Sequence, residues 1–195
     1  MPRPDASIPL RSLLFTPGSN EKMLSKASSS GADAALFDLE DAVAPDMKEK
    51  ARPMVLQAIK ETRAAKGGPP VITVRVNDVT TGLLEGDLEV IVCSELDAIK
   101  LAMTDTPADI RAADAILTRL ENERGLEADS IGIIALIETA EGLYNCYDIC
   151  KAAKRVVGIG IGSAEGGDLS NALGCEWTAD GRPLLYARSK ALADA

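Results

Sequence analysis

The sequence predicts an α/β protein built on a parallel sheet. Three observations lead there. Short apolar runs of strand length alternate with longer helical stretches along the chain. The runs are apolar throughout rather than alternating with polar residues, as expected of strands covered on both faces. Charged residues gather just past the ends of those runs, where a parallel sheet builds its sites.

Each element follows from local chemistry. Ser12-Leu-Leu-Phe-Thr16 reads as a buried strand, closed by the turn Pro17-Gly18. Asn20 caps a helix expected to reach Ser29, and Gly31 ends it. Ala34-Ala-Leu-Phe-Asp38 is the second strand. A charged helix from Lys48 to about Lys66 is broken by Gly67-Gly68-Pro69-Pro70. Val71-Ile-Thr-Val-Arg-Val76 is almost entirely β-branched and is the clearest strand. A helix from Leu83 to about Ser94 and a strand from Asp97 to Met103 follow.

Pro107 opens a helix to about Arg124, with Ile110, Ala113, Leu117 and Leu120 on one face. Ile131 to Ile137 is the fifth strand, and Ala140 to Ala153 one helix. Val156 to Ile161 is the sixth strand. Asp168 to Leu173 and Tyr186 to Ala195 complete the helices, with residues 174–183 as a surface loop. Residues 1–10 read as an N-terminal arm, with prolines and no apolar core, so not a signal peptide.

Composition excludes several function classes. The chain has 195 residues, 46% hydrophobic and 26% charged, a globular balance. Its net charge of -9 makes it a poor partner for nucleic acid or an anionic membrane. Aromatic residues are 3%, too few for base-stacking platforms. No apolar run reaches membrane-spanning length. Histidine is absent, which removes Ser-His-Asp, Cys-His and His-zinc chemistry. The four cysteines form no C-x-x-C pair and read as small hydrophobes in a reduced, cytoplasmic compartment.

Two architectures fit the pattern: an open doubly wound sheet and a closed (β/α)8 barrel. In a barrel the strand C-termini converge on one mouth. Asp38, Glu40, Asp41, Arg75, Glu138, Glu165 and Asp168 would then meet there. Gly158-Ile-Gly160-Ile-Gly162 lacks the spacing of a dinucleotide loop and reads as close backbone approach that leaves room for a ligand. Glu138 and Asp168, at neighbouring strand ends, suit Mg²⁺, which takes few protein ligands. The same two residues also suit an ion pair and a helix cap. Arg75 calls for a carboxylate, from the protein or from a ligand. Glu40 and Asp41 read as acids that support other site residues. Arg11 reads as a residue orienting substrate or Glu40, or as an ordinary surface arginine.

These segments resemble one family in order. Arg11-Ser-Leu-Leu-Phe-Thr-Pro-Gly-Ser-Asn20, Asp38-Leu-Glu-Asp-Ala-Val43, Val74-Arg-Val-Asn77, Leu136-Ile-Glu-Thr-Ala-Glu-Gly142 and Asp168-Leu-Ser-Asn-Ala-Leu-Gly174 are similar to motifs of the HpcH/HpaI aldolase and citrate lyase β-subunit family, which includes malyl-CoA and citramalyl-CoA lyases. The resemblance implies a TIM-type barrel. It implies Mg²⁺ on Glu138 and Asp168, and Arg75 on a substrate carboxylate. It also implies cleavage of a 3-hydroxy-acyl thioester into an acetyl thioester and a 2-oxo acid, by a homo-oligomer, trimer or hexamer. A class II aldolase acting on free 2-oxo or hydroxy acids is the alternative, and a non-catalytic fragment that binds metal and 2-oxo acid is a third reading.

Two departures stand out. The family's Pro-Lys at the end of strand four aligns with Ala102-Met103. Lys100 lies three positions earlier, an odd spacing that points it to the other side of the strand. The loop before Asp168 is long, which makes Glu165 an alternative ligand. Six strands are expected in residues 11–195, about two β-α units short of a full barrel of about 250 residues.

Overall fold

In the computed structural model, which describes residues 10–195, one parallel sheet runs in the order β1-β2-β3-β4-β5-β6. The strands are β1 (Leu13–Pro17), β2 (Ala34–Asp38), β3 (Val71–Val76), β4 (Ala98–Leu101), β5 (Gly132–Ile137) and β6 (Val156–Ile161). The order never reverses, so there is no switch point of the doubly wound kind. This sequential winding is that of a β/α barrel, and it decides between the two expected architectures. Residues 1–9 of the expected arm lie outside the described residues.

The sheet has two faces with different chemistry, because side chains alternate along a strand. Phe37 of β2, Ile72, Val74 and Val76 of β3, Ile99 and Leu101 of β4, and Ile133 and Ile137 of β5 belong to one buried apolar cluster. It also holds Val55 and Ile59 of α2 (Lys48–Ala64), Leu88 and Ile91 of α3 (Leu84–Ile91), and Ile110, Leu117 and Leu120 of α4 (Pro107–Glu123). The opposite face carries Thr73, Arg75, Lys100 and Leu136. β2, β3 and β5 are buried at every residue, as expected of covered strands. β1 and β6 are the sheet's edges and are partly exposed, with Leu14 45% and Phe15 43% accessible.

Helix starts follow their caps. Asn20 precedes α1 (Glu21–Leu24), and its side chain accepts from the Met23 N–H at 3.1 Å. The helix expected to reach Ser29 stops at Leu24 and continues as a 3₁₀ turn, Ala27–Ser29. Thr106 and Asp109 form a reciprocal capping box at α4. The single helix expected over 140–153 is two, α5 (Ala140–Tyr144) and α6 (Cys146–Cys150). The break falls at Asn145, whose amide donates to the Asp105 carbonyl at 2.9 Å. Short helix α7 (Asp168–Ala172) and α8 (Leu185–Asp194) complete the fold.

Among the described residues no helix is long and apolar enough to cross a membrane. The four cysteines are free thiols, and burial pushes Cys93 up to about 11 and Cys146 up to about 12. Thiols held that high are poor nucleophiles.

Candidate active site at the strand C-termini

Arg75 is the centre of the site. It lies in β3 directly beside Asp38 of β2 and Lys100 of β4 in the sheet register. Its Nε and Nη2 donate to the two Asp38 carboxylate oxygens at 2.8 and 2.6 Å, a bidentate pair. Its Nη1 lies 2.8 Å from Glu40 Oε2 and 3.6 Å from Asp41 Oδ2. Asp38, expected at the mouth with the other acids, is the buried partner of Arg75. Its carboxylate also accepts from the Glu40 and Ala42 N–H groups and so shapes the turn after β2.

That turn is fixed from outside as well. Lys48 of α2 donates to the Leu39 and Glu40 carbonyls and to Asn77 Oδ1. The Asn77 amide donates to the Leu39 carbonyl at 3.0 Å and to Asp87 at 2.6 Å. Asn77 in Val74-Arg-Val-Asn77 therefore ties β3 to the Glu40 turn.

Glu40 faces Arg75 without the alignment of a hydrogen bond, and its Oε2 is buried without a hydrogen-bond partner. Burial pushes its carboxyl up to about 7; Arg75 opposes this and Asp41 adds to it. A carboxyl raised above its unfolded value binds its proton more tightly when folded. Its contribution to stability is present below the ordinary 4.5 and is lost as pH rises to about 7. Glu40→Gln is thus expected to gain melting temperature relative to the wild type between pH 5 and pH 8. Parallel thermal melts across that range check this, and superimposable pH profiles would contradict it.

A cavity of about 450 Å³ opens beside Arg75, and Phe15, Asp41, Lys100, Leu136, Glu138, Gly162 and Asp168 line it with others. It thus brings Arg75, Asp41, Glu138 and Asp168 together, with Glu40 immediately behind on Arg75. Glu138 follows β5, is buried, and accepts from the Met103 N–H at 3.1 Å. Its carboxyl is raised, chiefly by burial, with Asp168 adding and Arg75 opposing. Asp168 opens α7, and Glu165 is not among the lining residues. Thr139 caps α5 directly after Glu138, accepting from the Gly142 N–H at 2.9 Å.

The glycine series has a steric cause. Ile134 pairs with Gly158 and Leu136 with Gly160, so the three glycines share the face that carries Glu138. A Cβ on Gly160 would stand 3.2 Å from Lys100 Nζ, and one on Gly162 would stand 3.1 Å from Glu138 Cγ. Gly160 and Gly162 make room for protein side chains first, whereas a Cβ on Gly158 would meet nothing within 4 Å. In the loop that follows, the Gly162, Ser163 and Gly167 N–H groups already donate to backbone carbonyls.

The structure corrects two expectations. Lys100 does not point to the other side: it lines the cavity and lies 4.9 Å from the Phe15 ring centroid. The odd spacing misled because Met103 has φ +45, which breaks strand alternation at the reference position. Register with Arg75 is the signal that places Lys100 correctly. Arg11 does not reach Glu40 or the cavity. It precedes β1, at the start of the strand, and its exposed guanidinium pairs with Asp33 at 2.8 Å.

Glu138 and Asp168 fit Mg²⁺ by their chemistry. They are two carboxylates on one cavity, one with an oxygen held by a backbone N–H, and Mg²⁺ completes its shell with water or ligand oxygens. Among the described residues no set of three acidic, Cys or His side chains is placed to enclose an ion. A parallel β/α sheet with acids, an arginine and a cavity at its strand C-termini has the layout in which β/α barrels place their sites.

The chain belongs to the HpcH/HpaI aldolase/citrate lyase family, whose model matches residues 11–195. It is 34% identical to the citrate lyase subunit beta of Leuconostoc mesenteroides subsp. cremoris over 179 residues, 92% of this chain and 57% of that protein. It is 34% identical over 191 residues to the human mitochondrial citramalyl-CoA lyase, covering 94% of this chain and 55% of that one. The chain thus spans less than two thirds of either relative. Its fold matches Mycobacterium tuberculosis CitE in complex with magnesium, acetoacetate and coenzyme A, with TM-score 0.67 and 27% identity over 94% of this chain and 60% of CitE.

Proposed function

We propose that this chain carries the metal and acid-binding half-site of a Mg²⁺-dependent carbon–carbon lyase acting on a 3-hydroxy-acyl thioester. The observation that supports it is the shared cavity of Arg75, Glu138 and Asp168. The related CitE structure with magnesium, acetoacetate and coenzyme A supports the same reading.

Cleavage removes the 3-hydroxyl proton and breaks the C2–C3 bond. The electron pair stays on the thioester fragment as an enolate, which then takes a proton. Negative charge therefore develops inside the cavity, and fixed positive charge there lowers the barrier. Arg75 supplies it without proton transfer, since guanidinium stays charged. Asp38 holds the guanidinium plane in place through two of its five N–H donors, and Nη1 faces the Glu40 and Asp41 carboxylates. Phe15, Leu136 and Ile161 form the apolar part of the cavity wall. Glu138 and Asp168 would hold Mg²⁺, which when bound supplies Lewis-acid polarisation of the 2-oxo acid's oxygens.

A substrate panel tests this reading. Citryl-, citramalyl- and malyl-CoA are compared with free citrate, citramalate and malate in Mg²⁺. The expected result is release of a 2-oxo acid from at least one thioester and from no free acid. Cleavage of the free acids instead would favour the class II aldolase. Binding of 2-oxo acid with no cleavage of any of the six would favour a non-catalytic role.

A further inference from the structure

Lys100 is the one cavity cation that no carboxylate of the protein holds. Among the described residues it has no acidic oxygen within 4.0 Å, whereas Arg75 has three carboxylates around it. The Lys100 stem packs over Gly160, where any side chain would displace it, and its ammonium stands over the Phe15 ring. The same ring also receives Arg75 at 5.2 Å, so two cations meet at one face of the cavity. Burial and Arg75 both disfavour the charge on Lys100, and Glu138 and Asp38 only partly offset them. Methionine or leucine would cover Phe15 equally well without that penalty. An ammonium brings three donors, and a ligand anion in the cavity would satisfy them.

We propose that Lys100 is a substrate-binding residue whose ammonium takes the carboxylate of the 2-oxo acid, alongside an Arg75 that Asp38, Glu40 and Asp41 hold in place. This rests on the lyase reading above, since it names a further residue for the same acid pocket. It assigns to strand four a role that the sequence spacing had pointed away from.

The test uses the full 195-residue chain. Pyruvate and methyl pyruvate are titrated by calorimetry at fixed Mg²⁺ into the wild type, Lys100→Met and Lys100→Arg. Mg²⁺ alone is titrated into each, and Lys100→Gln stands in if the methionine variant does not fold. The expected result is at least a tenfold loss of pyruvate affinity in Lys100→Met, recovered largely in Lys100→Arg. Mg²⁺ affinity and melting temperature should not fall, and the preference for pyruvate over its neutral ester should shrink. Pyruvate affinity within twofold of wild type in Lys100→Met overturns the role of Lys100 and leaves the lyase reading standing. Parallel loss of Mg²⁺ and pyruvate also overturns it, because Lys100 would then be holding the site together. A wild type that binds no 2-oxo acid overturns both.

Discussion

Glu138→Gln and Asp168→Asn are each expected to reduce thioester cleavage roughly a thousandfold or more. A bound metal ion supplies several kcal/mol of charge stabilisation, and each decade of rate corresponds to about 1.36 kcal/mol. The loss should come without unfolding. The Glu138 carboxylate accepts from the Met103 N–H, and a glutamine keeps an oxygen for that donor. Its charge is disfavoured where it sits, by burial and by Asp168. Glu138→Gln should therefore hold or raise the melting temperature while activity falls, the pattern of a site that trades stability for function. Steady-state kinetics and thermal melts on the same preparations check both halves.

Arg155→Ala should have the largest effect on stability. Arg155 is fully buried, just before β6. Its guanidinium donates to Asp114 at 2.5 Å, to both Glu121 oxygens at 2.9 Å, to Thr118 Oγ1 at 3.0 Å and to the Ile131 carbonyl at 2.8 Å. Glu121 is 1% exposed. Removing the arginine leaves that buried carboxylate without a charge partner, held only by the Asp129 and Ile131 N–H groups and Ser130 Oγ, which costs about 3–5 kcal/mol. For a chain of this size the melting temperature should fall by roughly 6–20 °C. A drop of under 2 °C by calorimetry would show that Glu121 finds another partner. The damage should spread to the site, because Arg155 ties α4 to the starts of β5 and β6, and β6 carries Gly160 and leads into Gly162. Glu138 and Lys100 pack against those two glycines.

These cases show what local sequence can and cannot reveal. Strands were legible where apolar runs are bounded by turn residues, and all six form at the expected places. Helix starts were legible at Asn20 and Pro107, where one residue acts on its own turn. The break at Asn145 was not legible, because its partner Asp105 lies forty positions back in the chain. Arg155 was invisible for the same reason, with its carboxylates on α4. Lys100 was misplaced by counting from Met103, whose left-handed backbone resets the alternation. Asp38 was placed at the mouth, but its pairing with Arg75 was not legible, because it depends on lying beside Arg75 in register, a relation between strands rather than along one. Arg11 shows the converse. Its motif position drew attention, yet its place ahead of β1 puts it with Asp33, away from the cavity.

The most direct measurement is calorimetric titration of Mg²⁺ into the wild type, Glu138→Gln and Asp168→Asn, each confirmed as folded by its thermal melt. One Mg²⁺ per chain in the wild type, and none in either variant at the same concentrations, is the expected result. Wild-type Mg²⁺ affinity retained in both variants would contradict the assignment of Glu138 and Asp168 as the metal pair.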